Sequence, residues 1–586
     1  MIESRFSRHF FPKLPNIVRN DVKCKIEARK NRGNASRENL HKYSDDAVRF
    51  GLKRAHFIEN KFSFVDTRNG ANNERLSHHI LMNDQAIKKL AAQISDENNL
   101  MLVHADSESA TSFLALMWNI YQEQSNNLRS VHLNAPFQDV EKIDEEMLSI
   151  AVLKMQTEVW IEKRLLKLRA QYIEYAQIAL ERVGTEKHQT KYISAMSFSN
   201  WKIKQREAEQ FVKNMTVFND ETGERYALAD VVKRTTSNPE NRRIEMMVRS
   251  RGFEELATEL GYTALFITWT LPSKYHRVSS KWNGASVKEG HNKLMSKWAI
   301  ARAQLSKLDI KYFGFRVAEP HKDATSHGHY FLFCHADCKD AVIDIIKSTA
   351  IAEDRYELGD DISPRFDVKE CDPEKGGATA YIAKYISKNI NGNHMPESKA
   401  QEGAFMARAW ASTHGIRQFQ QFGGSPVSLW RNLRKAKPQQ TLIDSKLEEL
   451  RQAADSSKWK LFCQLASSAK IEYEKKKNKY GETVSKIIGF SWLGKVIETA
   501  SEHYSLIKTK DVARHALALD LKKKRSFAPW STENNCNQAL KQMLSDTTGW
   551  SLDGVQCLIK PLLMGGKVPI DKHQTLCIRN NRLIAT

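Results

Sequence analysis

Acidic residues are in short supply in this chain of 586 residues: 69 Asp and Glu stand against 90 Lys and Arg, a formal net charge of +21. Such an excess favours a polyanionic partner, and nucleic acid is the usual one. Cysteine is sparse and scattered. The eight cysteines, at 24, 334, 338, 371, 463, 536, 557 and 577, form no CxxC pair. That argues against a zinc ribbon or a disulfide framework and fits a reducing cytoplasm. Cys334 and Cys338 flank His335, which reads as a strand end and not as a ligand set. Long apolar runs are missing too. The most apolar stretch, YTALFITWTL (262–271), is too short to span a bilayer. The N-terminal MIESRFSRHFFPKLPNIVRN is basic and broken by prolines, without the apolar centre of a signal peptide. No GxxxxGK[ST] motif occurs, so neither a nucleotide cofactor nor a built-in helicase motor is expected. The expectation is a soluble, cytoplasmic protein with no membrane partner.

What remains is ordinary in bulk, with 41% hydrophobic and 27% charged residues, and long enough for about three to four domains. Residues 1 to about 100 show little periodicity apart from AIKKLAAQI (86–94). The stretch 146–183 reads as one long helix, with apolar residues recurring at three and four, and 200–215 as another. KRTTSNPENRRIEMMVRSRGFEELA (233–257) is an arm or helix carrying six Lys or Arg against two Glu between 233 and 251. From 262 the order is clear: strand 262–271, helix 286–308, strands 311–320 and 327–334 joined by the loop 321–326, helix 338–351, strand 364–371, helix 376–390. The first six elements follow the ferredoxin-like βαββαβ pattern, an antiparallel sheet with helices on one face. The expected class is therefore α+β, with largely helical regions on both sides of the core. Helices are expected to dominate to about 487, including the Lys-rich EYEKKKNKY (472–480). The expected divisions are 1–140, of unassigned role; 141–257, helical and basic; 258–395, the core; 396–487, basic, aromatic and helical, contacting DNA; and 488–586, of unassigned role.

The core strand 327–334 opens with His-Gly-His. Side chains alternate along a strand, so His327 and His329 share a face. Glu319 ends the preceding strand, and a tight hairpin brings it to the pair. Two imidazoles and a carboxylate suit Mn²⁺, Zn²⁺, Fe²⁺ or, less comfortably, Mg²⁺, and leave positions open for a phosphate oxygen. His321 is also close but sits in the loop and ranks behind Glu319. The helix after the last core strand carries Tyr381 and Tyr385 four apart, hence on one face, with Lys384 and Lys388 on a neighbouring stripe. A tyrosine can attack phosphorus when a metal polarises the phosphate and cations balance the charge. An isolated YxxxY more often marks a packed face, and an isolated HxH a strand start. Together in one compact unit, flanked by the acid-free stretches 269–288, 379–396 and 410–443, they point to a strand that presents a metal to DNA. In 410–443, Phe419, Phe422 and Trp430 interleave with Arg417, Arg431, Arg434 and Lys435.

At these residues the chain resembles the HUH single-strand endonucleases, in particular the replication gene A proteins of P2-like phages. The resembling motifs are FITWTLPS (266–273), GFRVAEPHKDATSHGHYFLF (314–333) and YIAKYISKNINGN (381–393), with flanking blocks at 237–257 and 410–434. The likeness is specific from about 235 to 435. Relatives generally carry Pro and Trp around the first histidine, where this chain has Ser326 and Gly328. The resemblance implies a rolling-circle replication initiator with a divalent cofactor, Mg²⁺ or Mn²⁺, held by His327, His329 and Glu319. One of Tyr381 and Tyr385 would nick an origin strand, leaving a 3′-hydroxyl and a 5′-phosphotyrosine. The second would cleave after one round so that the ends rejoin. Lys384, Lys388, Thr268, Thr270, Arg417 and Arg431 are the expected DNA and phosphate contacts. The implied partners are single-stranded origin DNA and a host helicase and polymerase, in the bacterial cytoplasm.

Other readings are a plasmid replication initiator or relaxase of the same superfamily, a DNA-binding regulator with a structural metal, and an HxH metallohydrolase. The last needs further His or Asp ligands on several strands, a series the sequence does not show.

Overall fold

The computed structural model describes residues 4–32, 36–65, 75–104, 112–371, 377–390, 398–500, 503–525, 532–552, 554–563, 566–569, 575–579 and 582–585. The chain is a mixture of helix and antiparallel sheet. No helix among the described residues is long and apolar enough to cross a membrane.

The centre is a five-stranded sheet. Its strands are β1 (Tyr262–Trp269), β2 (Tyr312–Pro320), β3 (Ser326–His335), β4 (Phe366–Glu370) and β5 (Phe419–Phe422), in the order β4-β1-β3-β2-β5 with every neighbouring pair antiparallel. Six helices cover it: α1 (Pro239–Glu259), α2 (Val287–Lys307), α3 (Lys339–Ile351), α4 (Gly377–Ile390), α5 (Ser398–His414) and α6 (Val427–Leu433). Local chemistry starts these helices where they are needed. Asn238 caps α1 and Pro239 occupies its first turn. Ser286 and Glu289 close a capping box on α2.

Period-two alternation divides the sheet into two apolar faces. Leu265, Ile267, Trp269, Tyr330 and Leu332 meet Leu294, Trp298 and Leu305 of α2 and Val342 and Ile346 of α3. Phe266, Phe313, Phe315, Val317, Phe331 and Phe333 meet α1, α4 and α6 through Phe253, Ile382, Ile386 and Trp430. The two helices of the six-element unit, α2 and α3, share one face, and helices from outside the unit cover the other, because a face this aromatic must be buried too.

Two other expectations are corrected. The stretch 146–183 is two helices, Glu145–Met155 and Glu158–Ala179, because the chain breaks at Gln156 and Thr157. There the carbonyls of Met155 and Gln156 accept from Asn98 Nδ2 (2.7 Å) and Ser95 Oγ (2.6 Å) of a neighbouring helix. The Lys-rich 472–480 is not helical. It lies in a hairpin of Ala469–Lys477 with Thr483–Trp492, extended by Lys495–Glu498. Asn478 makes the turn, its Oδ1 accepting from the amides of Tyr480 (2.8 Å) and Glu482 (3.1 Å), with Gly481 at φ +81°.

The described residues up to about 100, nearly patternless in sequence, fold as helices that share one apolar core with the helices following them, from Leu14 to Leu180.

Candidate active site

The β2–β3 hairpin sets the site. Glu319 pairs with His327 across the ladder and Val317 with His329, while His329 faces Thr268 of β1 on its other side. All these side chains except the Val317 methyls are polar, and all lie at one end of the Phe266 face. His327 Nε2 and His329 Nε2 are 3.0 Å apart, and Glu319 Oε2 is 3.3 Å from His329 Nε2 and 3.8 Å from His327 Nε2. The three are the one group of potential metal-holding residues that converges among the described residues. Donors about 2.1 Å from a shared ion stand roughly 3.0–3.4 Å from one another, so the spacing fits a divalent cation. So does the burial. Glu319 is only 2% exposed, and a carboxylate there calls for a compensating cation. Thr268 Oγ1 lies 3.2 Å from His329 Nδ1, which leaves Nε2 turned to the other donors.

The turn between the strands is tightly held. His321 N donates to Thr325 O (2.7 Å), and Ala324 adopts φ +72° with its carbonyl accepting from the buried Trp410 indole of α5 (2.9 Å). His321 packs its ring 4.1 Å from that of His327 and 5.1 Å from that of His276, which in turn meets Asp323 (3.2 Å). Burial, with His276 beside it, pulls the His321 imidazole down to about 4, so it is neutral at pH 7. It stands behind the triad and not in it.

α4 docks on the same face. Its stripe Ala378, Ile382, Ile386 and Ile390 is buried at four-residue spacing, which swings Tyr381 and Tyr385 toward the sheet. Both pack on Phe266, at 5.7 and 5.4 Å between ring centres. They are not equivalent: Tyr385 also stacks on His329 at 4.4 Å. Burial, with Glu319 adding, pushes the Tyr385 phenol up to about 12. It is therefore protonated at neutral pH, and its oxygen needs nearby positive charge to act as a nucleophile.

The other expected residues spread around this centre. Lys384 is exposed one position before Tyr385. The side chain of Lys388 and the segment 391–397 lie outside the described residues. Thr270 leaves β1 with its amide bonded to Arg365 O (2.9 Å). Arg417 is exposed just ahead of β5, whereas Arg431 is forked onto the buried Glu245 carboxylate at 2.8 and 3.1 Å. Trp430 and Phe422 are buried in the two cores and do not face solvent. Ser326 bonds His291 of α2 (3.0 Å). At Gly328 a Cβ would stand 2.8 Å from the Tyr330 ring, so Tyr330 fills the space that a larger residue at 328 would take. Sequence reasoning did not find Trp410 as the anchor of the turn. An isolated tryptophan in a helix carries no signal of which loop it meets. A cavity of about 630 Å³ between the N-terminal helices and the start of α2 is lined by none of Glu319, His327, His329, Tyr381 and Tyr385.

The family model described as bacteriophage replication gene A protein matches residues 84–393. The probable replication protein P12 of Pseudoalteromonas phage PM2 is 37% identical over 67% of this chain and 62% of its own length. The replication gene A protein of Escherichia phage 186 is 38% identical over 54% of this chain and 47% of its own. A probable replication endonuclease from a prophage-like region of Shigella boydii is 29% identical over 67% of this chain and 52% of its own. The chain thus spans about half to three-fifths of the length of these relatives. No solved structure matches the chain.

Proposed function

The chain belongs to the bacteriophage replication gene A protein family, and from that membership and the site we propose that it nicks one strand of a phage or prophage origin to start rolling-circle DNA replication. The observation that carries the reading is the convergence of His327, His329 and Glu319 beneath the Tyr385 ring. The names of the relatives support replication and endonuclease activity in general terms. The strand order β4-β1-β3-β2 supports a ferredoxin-like HUH core.

His327 and His329 through Nε2 and Glu319 through Oε2 would hold the divalent ion, Mg²⁺ or Mn²⁺, which when bound supplies the charge that polarises a scissile phosphate. Thr268 keeps His329 in register for that task. The Tyr385 oxygen, nearer the triad than Tyr381, attacks phosphorus. The P–O3′ bond breaks, the 5′ phosphate remains on the tyrosine, and the phenolic proton is balanced by the one gained at the released 3′-hydroxyl. One phosphodiester is exchanged for another, so the step needs no nucleotide and runs in reverse to rejoin ends. Tyr381, one helical turn earlier, would cut the returning strand. The free 3′ end would prime a host polymerase behind a host helicase, in the cytoplasm of the bacterial host.

The test is an adduct assay. Single-stranded oligonucleotides tiled across the genome that carries the gene are incubated with protein and Mg²⁺ or Mn²⁺ and resolved on a denaturing gel. One tile should give a covalent protein–DNA band that is lost in the Tyr381→Phe, Tyr385→Phe double variant. Binding without any adduct would replace the nuclease with a DNA-binding regulator.

A further inference from the structure

Buried or half-buried cations in this protein are mostly paired. Arg365 meets Glu357, Lys297 meets Glu353, and Arg249 meets Glu245. Half-buried Arg408 breaks the pattern, with two exposed arginines beside it. A cavity of about 280 Å³ is lined by Arg242 of α1, Arg408 of α5 and Arg417, over a floor of Ile390, Ile416 and Phe419. Among the described residues no carboxylate lines it, and none of the three arginines makes a salt bridge. The Arg242 guanidinium donates to the Thr236 carbonyl at 3.3 Å, and Arg408 lies over the Trp201 ring at 5.7 Å. Burial, and the repulsion of Arg242, lower the Arg408 pKa. Pro239 at the start of the 21-residue α1 lines the same space, so the positive end of that helix adds to the field. Three guanidiniums held together without counter-charge are destabilising until an anion enters, and their forks suit phosphate oxygens.

The cavity is also next to the chemistry. Phe419 pairs with Val317, and Gln418 O accepts from Ala318 N (2.7 Å), immediately beside Glu319. Arg316 pins this wall by donating to Arg417 O (3.1 Å). Ile390 follows Tyr385 by five residues on α4, about 7.5 Å along the axis. We infer that Arg242, Arg408 and Arg417 bind a backbone phosphate of the single strand whose neighbouring phosphodiester lies at the triad. The inference rests on the nicking function proposed above and adds a strand-positioning subsite to it.

The experiment measures binding of full-length protein to a labelled oligothymidylate across a salt series, with chelator present so that no cleavage occurs. The proteins are wild type, Arg242→Gln, Arg408→Gln, Arg408→Lys, and the exposed Arg251→Gln as an outside control. Each pocket Gln variant should bind about tenfold more weakly at physiological salt and lose about 0.7 from the slope of log K against log salt. Arg408→Lys should recover the slope because it keeps the charge, and Arg251→Gln should match wild type. Melting temperatures identify any variant that is merely unfolded, and Arg242, which is exposed, carries the test if Arg408→Gln is one. Wild-type slope and affinity in both Gln variants, in a protein that does form the tyrosine adduct, overturn the pocket and leave the nicking function standing. Salt-dependent binding that the Gln variants weaken, in a protein that forms no adduct, upholds the pocket as a phosphate site and removes the function.

Discussion

The two faces of the central sheet use the same strands and differ at one end only. Behind α2 and α3, Ile267, Trp269, Tyr330 and Leu332 are apolar packing almost throughout. Under α4 the same pattern runs through Phe331 and Phe266, then changes to His329, His327, Glu319 and Thr268. A buried end rich in unlike polar groups is a cost that packing alone would remove. The difference sets a face of apolar packing against one that ends in a candidate metal site.

Breaking that contrast should have its largest effect at Tyr385. Tyr385→Phe should cut adduct formation on the origin strand by roughly a thousandfold or more, whereas Tyr381→Phe, which lacks the contact with His329, should keep the first cut. Equal losses in the gel assay would mean that stacking on His329 does not rank the two. On the other face, Trp298→Ala should remove about 3–5 kcal/mol of stability in denaturant unfolding, since Trp298 is buried against Tyr330 and Phe422. If adduct yield falls and stability does not, the face is not the structural one. Between these lies Thr268→Val. It keeps the shape but loses the bond to His329, and should weaken Mn²⁺ binding, followed calorimetrically, by about ten- to a hundredfold with the melting temperature little changed.

The smallest effect concerns the loop after β1. Burial alone would raise Glu353, but Lys274 (2.7 Å) and Lys297 (3.1 Å) outweigh it and hold its carboxyl down to about 2. Glu353 also keeps the Lys274 ammonium charged to higher pH, while burial lowers Lys297 in spite of the same carboxylate. The folded pKa is depressed, so the contribution is complete above the ordinary carboxylate pKa near 4.5 and lost as pH falls through about 2. Glu353→Gln should therefore cost about 2 kcal/mol at neutral pH, and the gap from wild type should close on acidification over that window.

Much of the core was legible because its signals are local. Each strand and helix from 262 to 390 lies within two or three residues of its expected bounds, since alternation, capping residues and the hairpin turn all act over a few residues. The hairpin at 469–492 was missed because Lys and Glu fit a helix face as well as a strand edge, and only the Asn478–Gly481 turn distinguishes them. The helical character of the N-terminal region was expected, but its separate helices before 145 were not placed, because their apolar residues are spread among many charged ones. Their core closes only when several helices from Leu14 to Leu180 assemble.

By itself the sequence determined the alternation that puts His327 and His329 on one face, the four-residue spacing that puts both tyrosines on another, and the charge that asks for a polyanion. Tertiary structure alone decided that Tyr385 and not Tyr381 meets His329, and that Arg242, Arg408 and Arg417 share one cavity. The physical reason is range. Periodicity is a property of neighbours along the chain, while register, docking and the meeting of distant arginines follow from burying both faces of one sheet at once.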